Sequence, residues 1–284
     1  MQCAVSDSER KDTMGLKGKN LGVRTASGAV LGIVVVGAIL WGVWPTAVLA
    51  SFICVGAMIE LFEMATTRVP DSNPPILLTL CLGVGWILGV AFESSPLMVL
   101  VGLMFVPMIF IYEVFRKSST TLVNAAVASL MLLYIALPLS LFVLIGSGSG
   151  EWEAAKVLMV IFTVWVNDIF AYLVGCSIGR HKMCPTISPK KSWEGFVGGL
   201  LFAVAFAMAA GYMMEGNIYE WGGLGLAIAL AGVVGDLLES KIKRECGLKD
   251  SGNLIPGHGG MLDRFDALLL AAPVAYLYII IVGL

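Results

Sequence analysis

Charge is scarce in this sequence: only 13% of its 284 residues are Asp, Glu, Lys or Arg, against 58% that are hydrophobic. With a mean hydropathy of +0.90, the chain falls outside the soluble globular range and reads as a polytopic membrane protein. A net charge of -2 excludes no partner, because where the charges lie carries the information rather than their sum. A disulfide framework is missing as well. Cys3, Cys54, Cys81, Cys176, Cys184 and Cys246 are scattered, mostly in or beside apolar runs where a lone thiol behaves as a small hydrophobe. Cys176, His181 and Cys184 fall one ligand short of the tetrahedral set that zinc takes. The phosphate loop GxxxxGK[ST] is absent, which argues against a P-loop enzyme. There is no tandem repeat or low-complexity tract, and Gly146–Gly150 reads as a flexible outer loop.

Long apolar runs are what the chain has instead. About 20 such residues span a bilayer, and nine segments fit that template: roughly 28–44, 46–65, 75–93, 96–115, 121–146, 156–176, 196–214, 221–239 and 265–284. The first is longer than a signal-peptide core, and only Trp44-Pro45 divides it from the second. The expected fold is an all-α polytopic integral membrane bundle of about nine transmembrane helices. Glycine faces such as Gly28/Gly32, Gly83/Gly85/Gly89, Gly195/Gly198/Gly199 and Gly222/Gly223/Gly225 should let helices approach closely.

With nine spans, every Lys and Arg except Lys156 falls on the side of the N-terminus and of the loops after the even-numbered helices. The positive-inside rule then places the N-terminus and the basic loops in the cytoplasm and the C-terminus opposite. The membrane segments hold few ionisable residues up to about residue 145, whereas acids recur inside or at the ends of helices from 156 onward. This suggests a cytoplasmic segment 1–27, an N-terminal scaffold 28–146 and a C-terminal catalytic half 147–284 with cytoplasmic loops 177–195 and 240–264, packed as one unit.

The catalytic half carries a phosphate-and-metal vocabulary. Asp168, with Asn167 beside it, sits in mid-helix, where an ionisable residue is functional by default. Ser188-Pro189 looks like a helix start, which would put Lys190 and Lys191 at an anion-attracting N-terminus. Asp236 and Ser240 share a helix face, as do Glu239 and Lys243, and Asp263 and Asp266 open the last helix on one face. Antiparallel packing would bring Asp236 toward Asp263, and Mg²⁺ with substrate phosphates is the economical way to hold two such carboxylates together. His258 suits a hydrogen-bonding or loop-shaping role better than that of a base. Glu60, Glu63 and Glu113 lie near helix ends and are expected to reach water.

Ser240-x-Ile242-Lys243-Arg244, then Lys249-Asp250-x-Gly252, then Pro256-x-His258-Gly259-Gly260-Met261-x-Asp263-Arg264-Phe265-Asp266 resembles the signature of the phosphatidate cytidylyltransferases. The Asn167–Gly175 helix and Ser188-Pro-Lys-Lys-Ser-Trp-Glu-Gly195 resemble the same family, which extends the likeness over about 160–270. The resemblance implies condensation of CTP with phosphatidic acid to CDP-diacylglycerol and pyrophosphate, using Mg²⁺ with a second cation such as K⁺. Its implied metal centre is Asp236 and Asp263, with Asp168 and Asp266 beside them. Ser240, Lys243, Arg244, Lys249, Asp250, His258 and Arg264 would carry catalysis, and Ser188, Lys190, Lys191, Ser192, Gly259 and Gly260 substrate binding. The partners are the two substrates and the bilayer, with no nucleic acid and room for a homodimer, in a bacterial inner membrane. A CTP-dependent lipid kinase, or a cytidylyltransferase for another lipid phosphate, would use similar residues. A cation- or proton-coupled transporter would instead spread its charges through the bilayer depth.

Overall fold

Apolar runs of this length place backbone N–H and C=O groups where water cannot reach them, so each run must satisfy its own groups as a helix. The structure, a computed structural model, describes residues 27–93, 95–147, 150–252 and 259–284. Among these are nine helices: α1 Ser27–Trp41, α2 Val43–Arg68, α3 Ile76–Glu93, α4 Pro96–Phe115, α5 Thr121–Ile145, α6 Ala154–Ile178, α7 Trp193–Met213, α8 Ile218–Glu245 and α9 Leu262–Val282. The eight from α2 to α9 are long and apolar enough to cross a membrane. The first is shorter, about 22 Å at 1.5 Å per residue. The chain is thus an all-α polytopic membrane bundle, with α4 interrupted at Met104 and a π-helical turn, Leu132–Ala136, inside α5.

The break between α1 and α2 falls at Gly42 rather than at Trp44-Pro45. Gly42 adopts φ 136° and ψ -172°, a conformation that only a residue without Cβ takes readily. Pro45 lies in the first turn of α2, where its missing N–H leaves no partner unsatisfied.

Contacts between helix ends establish an alternating course. At one end Arg116 Nη1 donates to Asn73 O at 2.5 Å and Asn73 N to Asn124 Oδ1 at 2.8 Å, tying the α2–α3 connection to α4–α5. At the other, Trp152 Nε1 donates to Ile39 O at 2.8 Å, Lys156 Nζ to Leu284 O at 3.1 Å and Tyr278 Oη to Glu220 O at 3.0 Å. The connections after the even-numbered helices therefore gather at one end, the arrangement on which the sorting of Lys and Arg depends.

Helices α6, α7, α8 and α9 pack in succession, and α9 also meets α2, α5 and α6. Glycine makes the α6–α7 contact close. A Cβ on Gly199 would stand 2.7 Å from Asn167 O, and one on Gly198 2.7 Å from Val174 Cγ2. Gly85 and Gly89 face open space and serve no such contact. Gly199→Val should wedge α7 from α6 and lower stability by about 1–3 kcal/mol, as overpacking does. Thermal unfolding in detergent checks this, and an unchanged melting temperature would show that the two helices part freely.

Two boundaries differ from expectation in ways that reshape the site. Helix α8 runs on to Glu245 because the Asp236/Ser240 and Glu239/Lys243 pairs support the helix in its last turns. It ends at Gly247, with φ 72°, where Gly247 N–H bonds Arg244 O and Leu248 N–H bonds Lys243 O, the six-to-one closure of a Schellman motif. The connection expected over 240–264 thus contracts to 246–261. The connection after α6 holds an antiparallel hairpin, β1 Lys182–Cys184 and β2 Ser188–Ser192, with Lys182 opposite Ser192. Ser188-Pro189 does not start a helix. Ser192 is the N-cap of α7 and its Oγ accepts from Gly195 N at 3.2 Å. A helix opening at Pro189 would place Lys190 and Lys191 at the positive end of its dipole, whereas opening at Trp193 places Glu194 there. Glu194 then accepts from Arg180 N at 3.1 Å and meets His181 Nδ1 at 2.6 Å, clamping the hairpin to α7.

Candidate active site

The end where the even-numbered connections gather encloses a cavity of about 1050 Å³. Its walls are the first half of α1, the second half of α6, the hairpin, the start of α7, the end of α8 and the start of α9. One wall is apolar: Leu31, Val35, Trp165 and Phe196, with Gly28 and Gly32 between. The other is ionic, with carboxylates from Asp168, Asp236, Asp250, Asp263 and Asp266 facing cations from Lys182, Lys190, Lys191, Lys243 and Arg264.

On α8, Ser240 Oγ donates to Asp236 Oδ1 at 3.2 Å, while Lys191 from the hairpin reaches Asp236 Oδ2 at 2.8 Å. One turn on, Lys243 is buried between Glu239 Oε2, 2.5 Å away, and Asp263 Oδ1. Glu239 is wholly buried, and its Oε1 has no partner among the described residues. Asp263 Oδ2 accepts from Ser251 N and Gly260 N, each at 2.9 Å. A single carboxylate thus joins α8, the signature connection and α9. Asp266 lies within electrostatic reach of Asp236, Glu239 and Asp168. Asn167 Nδ2 donates to Asp168 Oδ1 at 3.4 Å, and Asn167 Oδ1 is buried without a partner among the described residues.

Of the site residues named from the sequence, Asp168, Asp236, Asp250, Asp263, Asp266, Lys190, Lys191, Ser192, Lys243 and Arg264 meet at one cavity. The structure does not bring the others there. Arg244 is exposed and donates to Leu248 O at 3.0 Å, Lys249 is exposed, and neither borders the cavity. Ser188 opens β2 away from it, and Ser240 acts on it only through Asp236. Gly259, at φ 84°, and Gly260 bend the backbone around Asp263. His258 lies outside the described residues, as does the N-terminal segment up to residue 26.

Several features escaped sequence reasoning. Lys182 and the α1 wall carried no signal beyond a charge in a loop and an ordinary apolar run. Glu60 and Glu113 did carry one, an acid within an apolar helix, but their nearness to helix ends suggested that they reach water. Both are 1% exposed. Glu113 pairs with Arg116 at 2.8 Å, and Glu60 is bound by the start of α9.

Among the described residues no group of three or more His, Cys, Asp or Glu is gathered closely enough to hold an ion alone. Mg²⁺ asks for less, since it takes one or two carboxylates and completes its shell with water and substrate phosphates. The hard carboxylate oxygens that line the cavity fit that demand.

Parts of the chain are similar in sequence to relatives named phosphatidate cytidylyltransferase. That of Staphylococcus aureus (strain COL) is 37% identical over 171 residues, 60% of this chain and 64% of its own length. That of Thermotoga maritima is 33% identical over 226 residues, 76% of this chain and 82% of its own. That of Aquifex aeolicus is 44% identical over 128 residues, 45% and 48% respectively. The chain therefore spans just under two thirds of the Staphylococcus relative and about half of the Aquifex one. The model of the cytidylyltransferase family matches residues 22–282, from ahead of α1 to the last residue of α9, and the chain belongs to that family.

Proposed function

We propose that the chain transfers the cytidylyl group of CTP to phosphatidic acid, giving CDP-diacylglycerol and pyrophosphate. The observation that carries this reading is the two-faced cavity: an apolar wall from α1, α6 and α7 beside an ionic floor, which suits a lipid bearing a phosphate and a nucleotide arriving from water. The names of the relatives supply cytidylyl transfer and phosphatidate.

In the proposed reaction an oxygen of the lipid phosphate forms a bond to the α-phosphorus of CTP. The bond from the α-phosphorus to the bridging oxygen breaks, and pyrophosphate leaves with the electron pair. Phosphoryl chemistry of this kind needs positioning and charge stabilisation more than covalent help from the protein. Lys182, Lys190 and Lys191 on the hairpin would bind the triphosphate, and Lys191 must then exchange Asp236 for phosphate oxygens. Arg264 at the start of α9 would hold the lipid phosphate. Asp236 and Asp263 would hold Mg²⁺, with Asp168 and Asp266 beside them. When bound, Mg²⁺ supplies charge neutralisation and polarisation of phosphoryl oxygens. The sorting of Lys and Arg toward this end supports a site that faces the cytoplasm, and the bacterial relatives support a bacterial plasma membrane.

Purified protein given phosphatidate and CTP labelled at the α-phosphorus should yield labelled lipid only with Mg²⁺. Absence of labelled lipid under any divalent ion would refute the reading. Label entering lipid from the γ-phosphorus instead would identify a CTP-dependent lipid kinase. In the same assay Asp236→Asn should lower turnover by about a hundredfold or more, the scale of a lost electrostatic stabiliser. Its side chain is 34% exposed, so the melting temperature should hardly move; wild-type turnover in this variant would remove Asp236 from the metal assignment.

A further inference from the structure

Glu60 belongs to α2, some 200 positions ahead of α9 in the chain, yet its carboxylate sits under the start of that helix. Oε1 accepts from Met261 N at 2.7 Å, and Oε2 accepts from Leu262 N at 2.8 Å and from Ser251 Oγ at 2.8 Å. A Cβ on Gly252 would stand 2.7 Å from Glu60 Oε1, and one on Gly260 would run into Ser251 Oγ and Glu60 Oε2. Two signature glycines are therefore places where the backbone closes over this carboxylate. The first amides of a helix have no intrahelical acceptor, and an anion there also complements the dipole. The contacts continue to the cavity, because Ser251, which gives its hydroxyl to Glu60, gives its N–H to Asp263 Oδ2.

We propose that Glu60 is a positioning residue of the active site: by gripping Ser251, Met261 and Leu262 it sets where Asp263, and through it Lys243, stand in the cavity. The proposal rests on the function proposed above for its kinetic arm, and on geometry alone for the other. Glutamine is the informative replacement because it fills the same space. Whichever way its amide turns, either Met261 N–H or Leu262 N–H faces an NH₂ group instead of an acceptor.

Glu60→Gln should lower kcat per folded molecule about 10- to 100-fold, the range seen when partners of metal ligands are removed. It should raise the Mg²⁺ concentration for half-maximal rate while leaving the KM for CTP within about twofold, since Glu60 is not among the residues that line the cavity. Hydrogen exchange at Met261 and Leu262 should quicken about tenfold, reporting local opening without turnover. Gly252→Ala, which presses on the carboxylate from the other side, should reproduce both effects. Glu63→Gln, on an exposed position of the same helix, should reproduce neither. Unchanged exchange in Glu60→Gln would overturn the proposal, and so would faster exchange with wild-type kcat and Mg²⁺ dependence, which is the outcome of a purely structural role. A wild-type protein that makes no CDP-lipid would refute the function and leave the exchange comparison to decide on Glu60.

Discussion

Asp263→Asn should reduce CDP-lipid formation by about a hundredfold to a thousandfold, the cost of removing a preorganised electrostatic group, while the protein still folds. Asp263 Oδ1 meets the Lys243 ammonium and Oδ2 receives two backbone amides. Asparagine retains one oxygen for the amides of Ser251 and Gly260 but turns an NH₂ toward Lys243, so the ammonium loses one of its two counter-ions. Any Mg²⁺ in the cavity would lose an anionic oxygen at the same time. Alanine is a poorer test. It would strand both amides, whose loss of partner costs about 1–3 kcal/mol each. Initial rates with saturating CTP and phosphatidate, set beside thermal unfolding of the same sample, separate the two effects. A variant retaining wild-type turnover would show that Asp263 organises the loop and takes no part in the chemistry.

Lys243→Met should be the most destabilising of the single changes considered. Glu239 is 0% exposed and Lys243 is its ion-pair partner at 2.5 Å, so removing the ammonium leaves two carboxylates, Glu239 and Asp263, facing each other in a buried site. Breaking a buried pair from one side costs about 3–5 kcal/mol, or a melting temperature lower by about 10 °C for a chain of this size. Activity should be lost with it. Adding Glu239→Gln to Lys243→Met should recover much of the melting temperature, because the stranded charge is gone, but none of the turnover, because Asp263 still lacks its cation. Recovery of both would place Lys243 in folding alone. No loss of stability in Lys243→Met would mean that Glu239 is not held as a charge by this lysine.

Part of this site is legible in the sequence because membrane burial makes ionisable side chains costly. Asp168, Asp236, Asp263, Asp266 and Lys243 stand out against apolar helices for that reason, and helical spacing pairs Asp236 with Ser240 and Glu239 with Lys243 before any coordinates are known. The same rule marks Glu60, but it cannot say whether an acid near a helix end reaches water or a neighbouring helix. That depends on what packs beside it, here the start of α9 from some 200 positions later in the chain. The hairpin was hidden for a related reason. Ser188-Pro189 and Ser192-Trp193 are both acceptable helix starts locally, and the choice follows from Glu194 receiving the backbone of Arg180 and His181.

By itself, then, the sequence determined a bundle of long apolar helices, the sorting of its basic residues to one end and the residue types of its chemistry. Each is a property of hydropathy, helical period or local spacing, and none needs a distant partner. Only the tertiary structure decided that Lys191 and Lys243 rest on carboxylates, that Arg244 turns away to the backbone of Leu248 beyond α8, that α1 supplies an apolar wall, and that Glu60 holds the start of α9. Those outcomes depend on which helix ends meet. Helix ends meet through close packing and the pairing of buried polar groups across the bundle, information that no single stretch of the chain contains.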